Sequence, residues 1–138
     1  MDAKLEALRH VPLFGGLDRK ELTEVGRLSD EVDLKAGHVL MREGARGQEF
    51  FLLLSGYVRV ERGGTVVATL GSGEFFGEIS LVDHGPRTAT VTCDTDCRVL
   101  VLGHREFDSL LDRFPAVQGK VLRALAERVR RLEPEALN

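Results

Sequence analysis

Apolar residues recur every three or four positions near both ends of the chain and every second position between them. Leu5 and Leu8 mark a short amphipathic helix that Pro12 ends, because a proline pushes the residue before it into extended backbone. Phe14 and Leu17 add apolar weight after that break. Asp18, followed three residues later by Glu21, is a capping-box variant, and Leu17 with Leu22 has the placement of a hydrophobic staple. A second helix is therefore expected from Asp18 to about Arg27, with Leu22 and Val25 as its core face. From Glu31 the period becomes two. Val32 and Leu34, Val39 and Met41, Phe50 to Leu54, Val58 and Val60, and Val66 to Leu70 read as short strands, and glycines fall between them at turn positions. Thr88 to Thr92 and Arg98 to Leu102 read as a closing hairpin.

His104 opens a third helix carrying Phe107, Leu110 and Leu111, which Phe114-Pro115 interrupts before a last helix from about Ala116 to Glu133, stopped by Pro134. The fold class expected from this order is mainly β with flanking helices (α+β), an antiparallel β-roll or jelly-roll barrel with N-terminal helices and two C-terminal helices. Residues 1–28, 29–103 and 104–138 would be the helical entry, the roll and the closing helices of one domain. Leu122, Leu125, Val129 and Leu132 recur at 3-4-3 spacing, which suits either packing on the barrel or a short seam with a second copy or a partner protein.

Length and charge narrow the functions. A chain of 138 residues with 43% hydrophobic and 30% charged content has the size of a single domain with one core. A net charge of −3 leaves no global basic field, so DNA binding by this chain is not expected. No apolar run approaches the roughly 20 residues that span a bilayer, and Met1-Asp2-Ala3-Lys4 lacks a signal-peptide layout, so a cytoplasmic location is expected. Cys93 and Cys97 flank Asp94-Thr95-Asp96 in what reads as a tight hairpin, where they would be two small buried or half-buried thiols, with a redox pair as the alternative. His10, His38, His84 and His104 are scattered without ligand spacing, so neither a metal nor a cupin-like metal enzyme is expected. No nucleophile stands with a base, so no catalytic residue is assigned.

The stretch from Phe75 to Val91 carries the candidate chemistry. Gly77 lets backbone approach a ligand closely, and the peptide N–H groups after it can point at an anion. Arg87 offers a permanently charged planar fork that matches two phosphate oxygens. A carboxylate beside a phosphate would repel it, so Glu78 suits a neutral hydroxyl such as a ribose 2′-OH. An acid for a sugar and an arginine for a phosphate suggest a compact nucleotide.

Phe76-Gly77-Glu78-Ile79-Ser80-Leu81, followed by Pro86-Arg87-Thr88-Ala89-Thr90, resembles the phosphate-binding cassette of the cyclic nucleotide-binding domain family, which includes catabolite-activator-type regulators and protein kinase regulatory subunits. Glu43-Gly44, Gly47 and the run from Phe50 to Val60 resemble its glycine-punctuated strand pair, and Val11-Pro12-Leu13-Phe14 its N-terminal helical signature. Gln48 departs from the family, where an acid is common. The resemblance implies a sensor module, not an enzyme. Its ligand site would be Phe76, Gly77, Glu78, Ile79, Ser80, Arg87, Thr88 and Ala89, with the cyclic phosphate held by Arg87 and by backbone N–H groups near Ser80 and Thr88. The ligand would be cyclic AMP, weakly favoured over cyclic GMP: in the family a hydroxyl residue at the position of Thr88 can favour guanine through its exocyclic amine, yet cyclic AMP binders with threonine there also exist. The C-terminal helices would move on binding, with Leu125 or Val129 as a cap over the base. A domain that keeps the fold, has lost the ligand and binds a protein is the alternative.

Overall fold

The period-two region folds into two four-stranded antiparallel sheets. The computed structural model describes residues 3–78, 81 and 84–132. In chain order these give α1 (Ala3–Arg9), a 3-10 turn (Pro12–Phe14), α2 (Arg19–Leu28), then β1 (Asp30–Leu34), β2 (Val39–Met41), β3 (Phe50–Ser55), β4 (Val58–Arg62), β5 (Thr65–Leu70), β6 (Phe75–Phe76), β7 (Thr90–Cys93) and β8 (Cys97–Leu102), and finally α3 (His104–Arg113) and α4 (Pro115–Leu132). One sheet runs β1-β8-β3-β6 and the other β2-β7-β4-β5. This is the β-roll with flanking helices expected from the pattern.

The last two strands differ from expectation. β7 pairs with β2 and β4, whereas β8 pairs with β1 and β3, so the segment between Cys93 and Cys97 carries the chain from one sheet to the other and is not a hairpin turn. Its geometry depends on side-chain bonds: Thr95 Oγ1 accepts from the Tyr57 N–H at 3.0 Å, and Asp96 accepts from the Ala36 N–H at 2.9 Å. Both cysteines are buried and free. Burial, then the hydrogen bond to Cys97, pushes the Cys93 thiol up to about 12.

Strands β3 and β8 are buried on both faces, which explains their continuous apolar runs. Alternation sends Phe50, Leu52, Leu100 and Leu102 to a core shared with the helices, and Phe51, Leu53, Cys97 and Val99 to a second core inside the roll. The helix-side core is closed by Leu8, Leu22 and Val25 from the N-terminal helices and by Phe107, Leu110, Val117 and Val121 from α3 and α4. Phe50 lies at its centre, stacked on Phe107 with ring centroids 4.8 Å apart and tilted against Phe75 at 5.5 Å.

The helix signals act as read. Asp18 accepts from the Glu21 N–H at 2.8 Å, and Glu21 accepts from the Asp18 N–H at 3.0 Å. Lys120 on α4 donates to the carbonyls of Pro12 and Gly15 at 2.9 and 3.0 Å, tying the last helix to the 3-10 turn. The apolar stripe of α4 is distributed differently from the 3-4-3 reading. Val117, Val121 and Leu125 pack inward, while Leu122 and Val129 are exposed. Among the described residues no helix is long and apolar enough to cross a membrane.

Candidate functional site

Pairing of β6 with β3 sets Phe51 opposite Phe76 and Leu52 opposite Phe75, so Phe75 joins the helix-side core and Phe76 the roll interior. The chain then turns at Gly77, whose φ is 92°. A β-carbon there would lie 2.7 Å from the Glu49 carbonyl oxygen, so both the left-handed backbone and the close approach require glycine. That turn delivers Glu78 to the interior, 1% exposed.

A buried carboxylate needs compensation. Arg128 on α4 supplies it: Nη1 donates to Glu78 Oε1 and Nη2 to the carbonyl of Phe75, with the guanidinium carbon 4.9 Å from the centroid of the Phe75 ring. The second carboxylate oxygen, Oε2, is buried and accepts no hydrogen bond among the described residues. One oxygen is therefore fixed by the helix, and the other has acceptor capacity for a donor from outside the chain.

Arg87 is held as firmly, in a different place. It is 3% exposed, with Nη1 donating to Gly77 O at 3.0 Å and Nη2 to Glu49 O at 2.9 Å. Its guanidinium carbon stands 5.8 Å from the Phe51 ring centroid, and its Nη2 lies 3.5 Å from the Glu49 carboxylate. Burial lowers its pKa from the ordinary arginine value, opposed by the charges of Glu49 and Glu78. Gly47 makes this position possible: a β-carbon there would lie 2.7 Å from Nη2 and closer still to Nε. The strand entering β7 is fixed alongside, with the Arg87 N–H donating to Ala45 O at 2.9 Å and the Gly44 N–H to Arg87 O at 2.8 Å.

These segments border a cavity of about 260 Å³ lined mainly by apolar side chains, among them Met41, Val60, Val67, Leu70 and Val91. Of the residues singled out from sequence, Phe76, Gly77, Glu78, Thr88 and Ala89 line it together. Arg87 lies behind this wall and faces a neighbouring cavity of about 220 Å³ with Arg42, Arg46 and Glu49. Ile79 and Ser80 lie outside the described residues. Neither Leu125 nor Val129 lines the cavity, and the contribution of α4 is Arg128.

Three residues escaped the sequence reading. Arg128 sits between Leu125 and Val129 in a helix rich in arginine, with nothing local to distinguish it. Arg62 ends β4 and lines the cavity, which its two-residue spacing from Val60 could have revealed. Glu49 stands next to Gln48, the position at which an acid is common in the family, and its carboxylate lies 3.5 Å from Arg87 Nη2.

Residues 31–114 match the family model of the cyclic nucleotide-binding domain. The CRP-like cAMP-activated global transcriptional regulator of Mycobacterium tuberculosis is 28% identical over 131 residues, covering 91% of this chain and 58% of that protein. Potassium/sodium hyperpolarization-activated cyclic nucleotide-gated channel 3 of Mus musculus is 34% identical over 124 residues, 89% of this chain and 16% of the channel. The crystal structure of Thermus thermophilus catabolite activator protein superposes with a TM-score of 0.81 at 34% identity, over 91% of this chain and 61% of that one. The chain thus spans at most 58% of the length of these two curated relatives.

Proposed function

Because the chain belongs to the cyclic nucleotide-binding domain family, we propose that its main cavity takes a cyclic nucleoside monophosphate and that the whole chain acts as one regulatory module. The observation that carries this reading is Glu78, a buried carboxylate with Oε1 fixed by Arg128 and Oε2 left to accept a sugar hydroxyl. The apolar wall of Val60, Val67 and Leu70 suits a base, and the segment Arg87-Thr88-Ala89 suits the cyclic phosphate, with Gly77, Ile79 and Ser80 completing the cassette. Phosphate binding would draw the Arg87 fork partly away from the Gly77 carbonyl. A charge-assisted hydrogen bond contributes on the order of 1.5–3 kcal/mol, so Arg87→Ala should weaken binding at least roughly tenfold.

The same arrangement supplies a route to the C-terminal helix. Arg128 belongs to both the cavity wall and α4, so a ligand that changes the Glu78–Arg128 contact changes the free energy of docking that helix. Exposed Leu122 and Val129 on α4 are then the surface through which a second copy or a partner protein would sense the change. Calorimetric titration with cyclic AMP and cyclic GMP, for the native chain and Arg87→Ala, tests the proposal. Micromolar binding that the substitution removes supports it.

A second reading, a ligand-free interaction domain of the same fold, draws on the fact that Arg87 and Glu78 are already partnered within the chain. It expects folded protein and no heat with either nucleotide.

A further inference from the structure

The cavity has three charged side chains in its wall, Arg62, Glu78 and Arg128. Glu78 Oε1 and Arg128 are paired with each other, whereas the Arg62 side chain makes no hydrogen bond or ion pair among the described residues. It is the last residue of β4, and alternation places it on the face of Val58 and Val60, directed to the cavity. Its neighbours there are apolar: Val60 on its own strand and Val67 and Ala68 on β5, where Val60 pairs with Ala68. An arginine with all its donors available, at the end of an apolar platform, is built to read the edge of whatever flat group the platform carries.

We infer that Arg62 determines which base the site prefers, and that it selects guanine over adenine. This rests on the cavity being the cyclic nucleotide site proposed above. A base laid on Val60, Val67 and Ala68 presents an edge to Arg62. Guanine offers two acceptors there, O6 and N7, which match the guanidinium fork; adenine offers N7 beside the N6 amine, which is itself a donor and leaves one arginine N–H facing another donor. Arg62 reverses the weak preference for cyclic AMP expected from the family resemblance, in which Arg62 plays no part. By the family resemblance Thr88 would read the guanine 2-amine, so the two residues would read different atoms and can be separated.

The test is calorimetric titration of the native chain, Arg62→Ala and Arg62→Lys with cyclic GMP, cyclic AMP and cyclic IMP, the last keeping O6 and N7 without the 2-amine. Circular dichroism checks that each variant folds, which the exposed position of Arg62 favours. The native chain is expected to bind cyclic GMP and cyclic IMP about tenfold or more tightly than cyclic AMP. Arg62→Ala should erase that difference by weakening the two oxo-purines alone, and Arg62→Lys, which keeps the charge without the fork, should not restore it. Equal weakening of all three ligands, or rescue by lysine, would make Arg62 a phosphate contact and overturn the inference. Cyclic IMP behaving like cyclic AMP would assign the choice to Thr88 and overturn it too. Native protein that binds none of the three refutes the ligand site itself, whereas binding without base preference refutes only the role of Arg62.

Discussion

Arg87 shows how a surface-type residue becomes part of a core. Its fork satisfies two carbonyls, its guanidinium carbon lies over the Phe51 ring, and the missing β-carbon of Gly47 leaves the space it occupies. Gly47→Ala should therefore displace the guanidinium while leaving both carbonyls and the fold in place. Cyclic nucleotide affinity is expected to fall about tenfold, with a stability loss of about 1–2 kcal/mol in urea unfolding; undiminished affinity would show that Arg87 does not need this seat. Cys93 gives a pH prediction. Its pKa is raised from 9.0 to about 12 by burial, so between those values the unfolded chain releases the thiol proton while the folded chain keeps it. The unfolded state then binds fewer protons, and stability must fall as pH rises through this window. Cys93→Ser, compared with the native chain in urea melts between pH 8 and pH 10.5, should show a shallower decline. Native protein at pH 7.5 should also resist iodoacetamide at Cys93, because the thiolate is the nucleophile.

At the scale of elements, α4 is held by two kinds of contact: apolar packing of Val117 and Val121, and polar ties from Lys120 and Arg128. Arg128→Ala should leave Glu78 buried without its cation, which costs about 2–3 kcal/mol, and should raise amide exchange along the second half of α4 more than along α3. A uniform rise across both helices would place the effect in the general core instead. The elements themselves were largely legible. Capping chemistry at Asp18 and Glu21 is local, so the sequence carries it directly, and the apolar runs of β3 and β8 are nearly continuous because both of their faces are buried. The sheet to which β7 and β8 belong was not legible. Three polar residues between two strands look the same whether the strands pair or separate, and the decision lies with Asp96 and Thr95 reaching Ala36 and Tyr57, far away in sequence. The site divides in the same way. Gly77, Glu78 and Thr88 are close in the chain and were found together, whereas Arg128 lies 50 residues from Glu78 and no local pattern marks it.

For the whole molecule, the two cores share one wall. The side chains of β3 and β8 point alternately to the helices and to the roll interior, so the interior core that includes Met41, Leu70, Phe76 and Val91 of the cavity wall backs onto the surface on which the helices rest. Phe50→Ala, on the helix side, should cost about 3–5 kcal/mol, and cyclic nucleotide should raise the unfolding midpoint of the variant as it does that of the native chain. A variant that folds but no longer gains stability from ligand would show that the helix-side core sets the shape of the cavity. The register of the first sheet also bears on how the chain reaches this state. Asp30 pairs with Val101 and Leu34 with Cys97, so the first strand of the roll completes its ladder with the last, across more than 60 residues of chain. Such long closures cost entropy before any contact repays it, which puts refolding on the millisecond-to-second scale of high-contact-order β proteins. During synthesis, β1 must wait until β8 has left the ribosome.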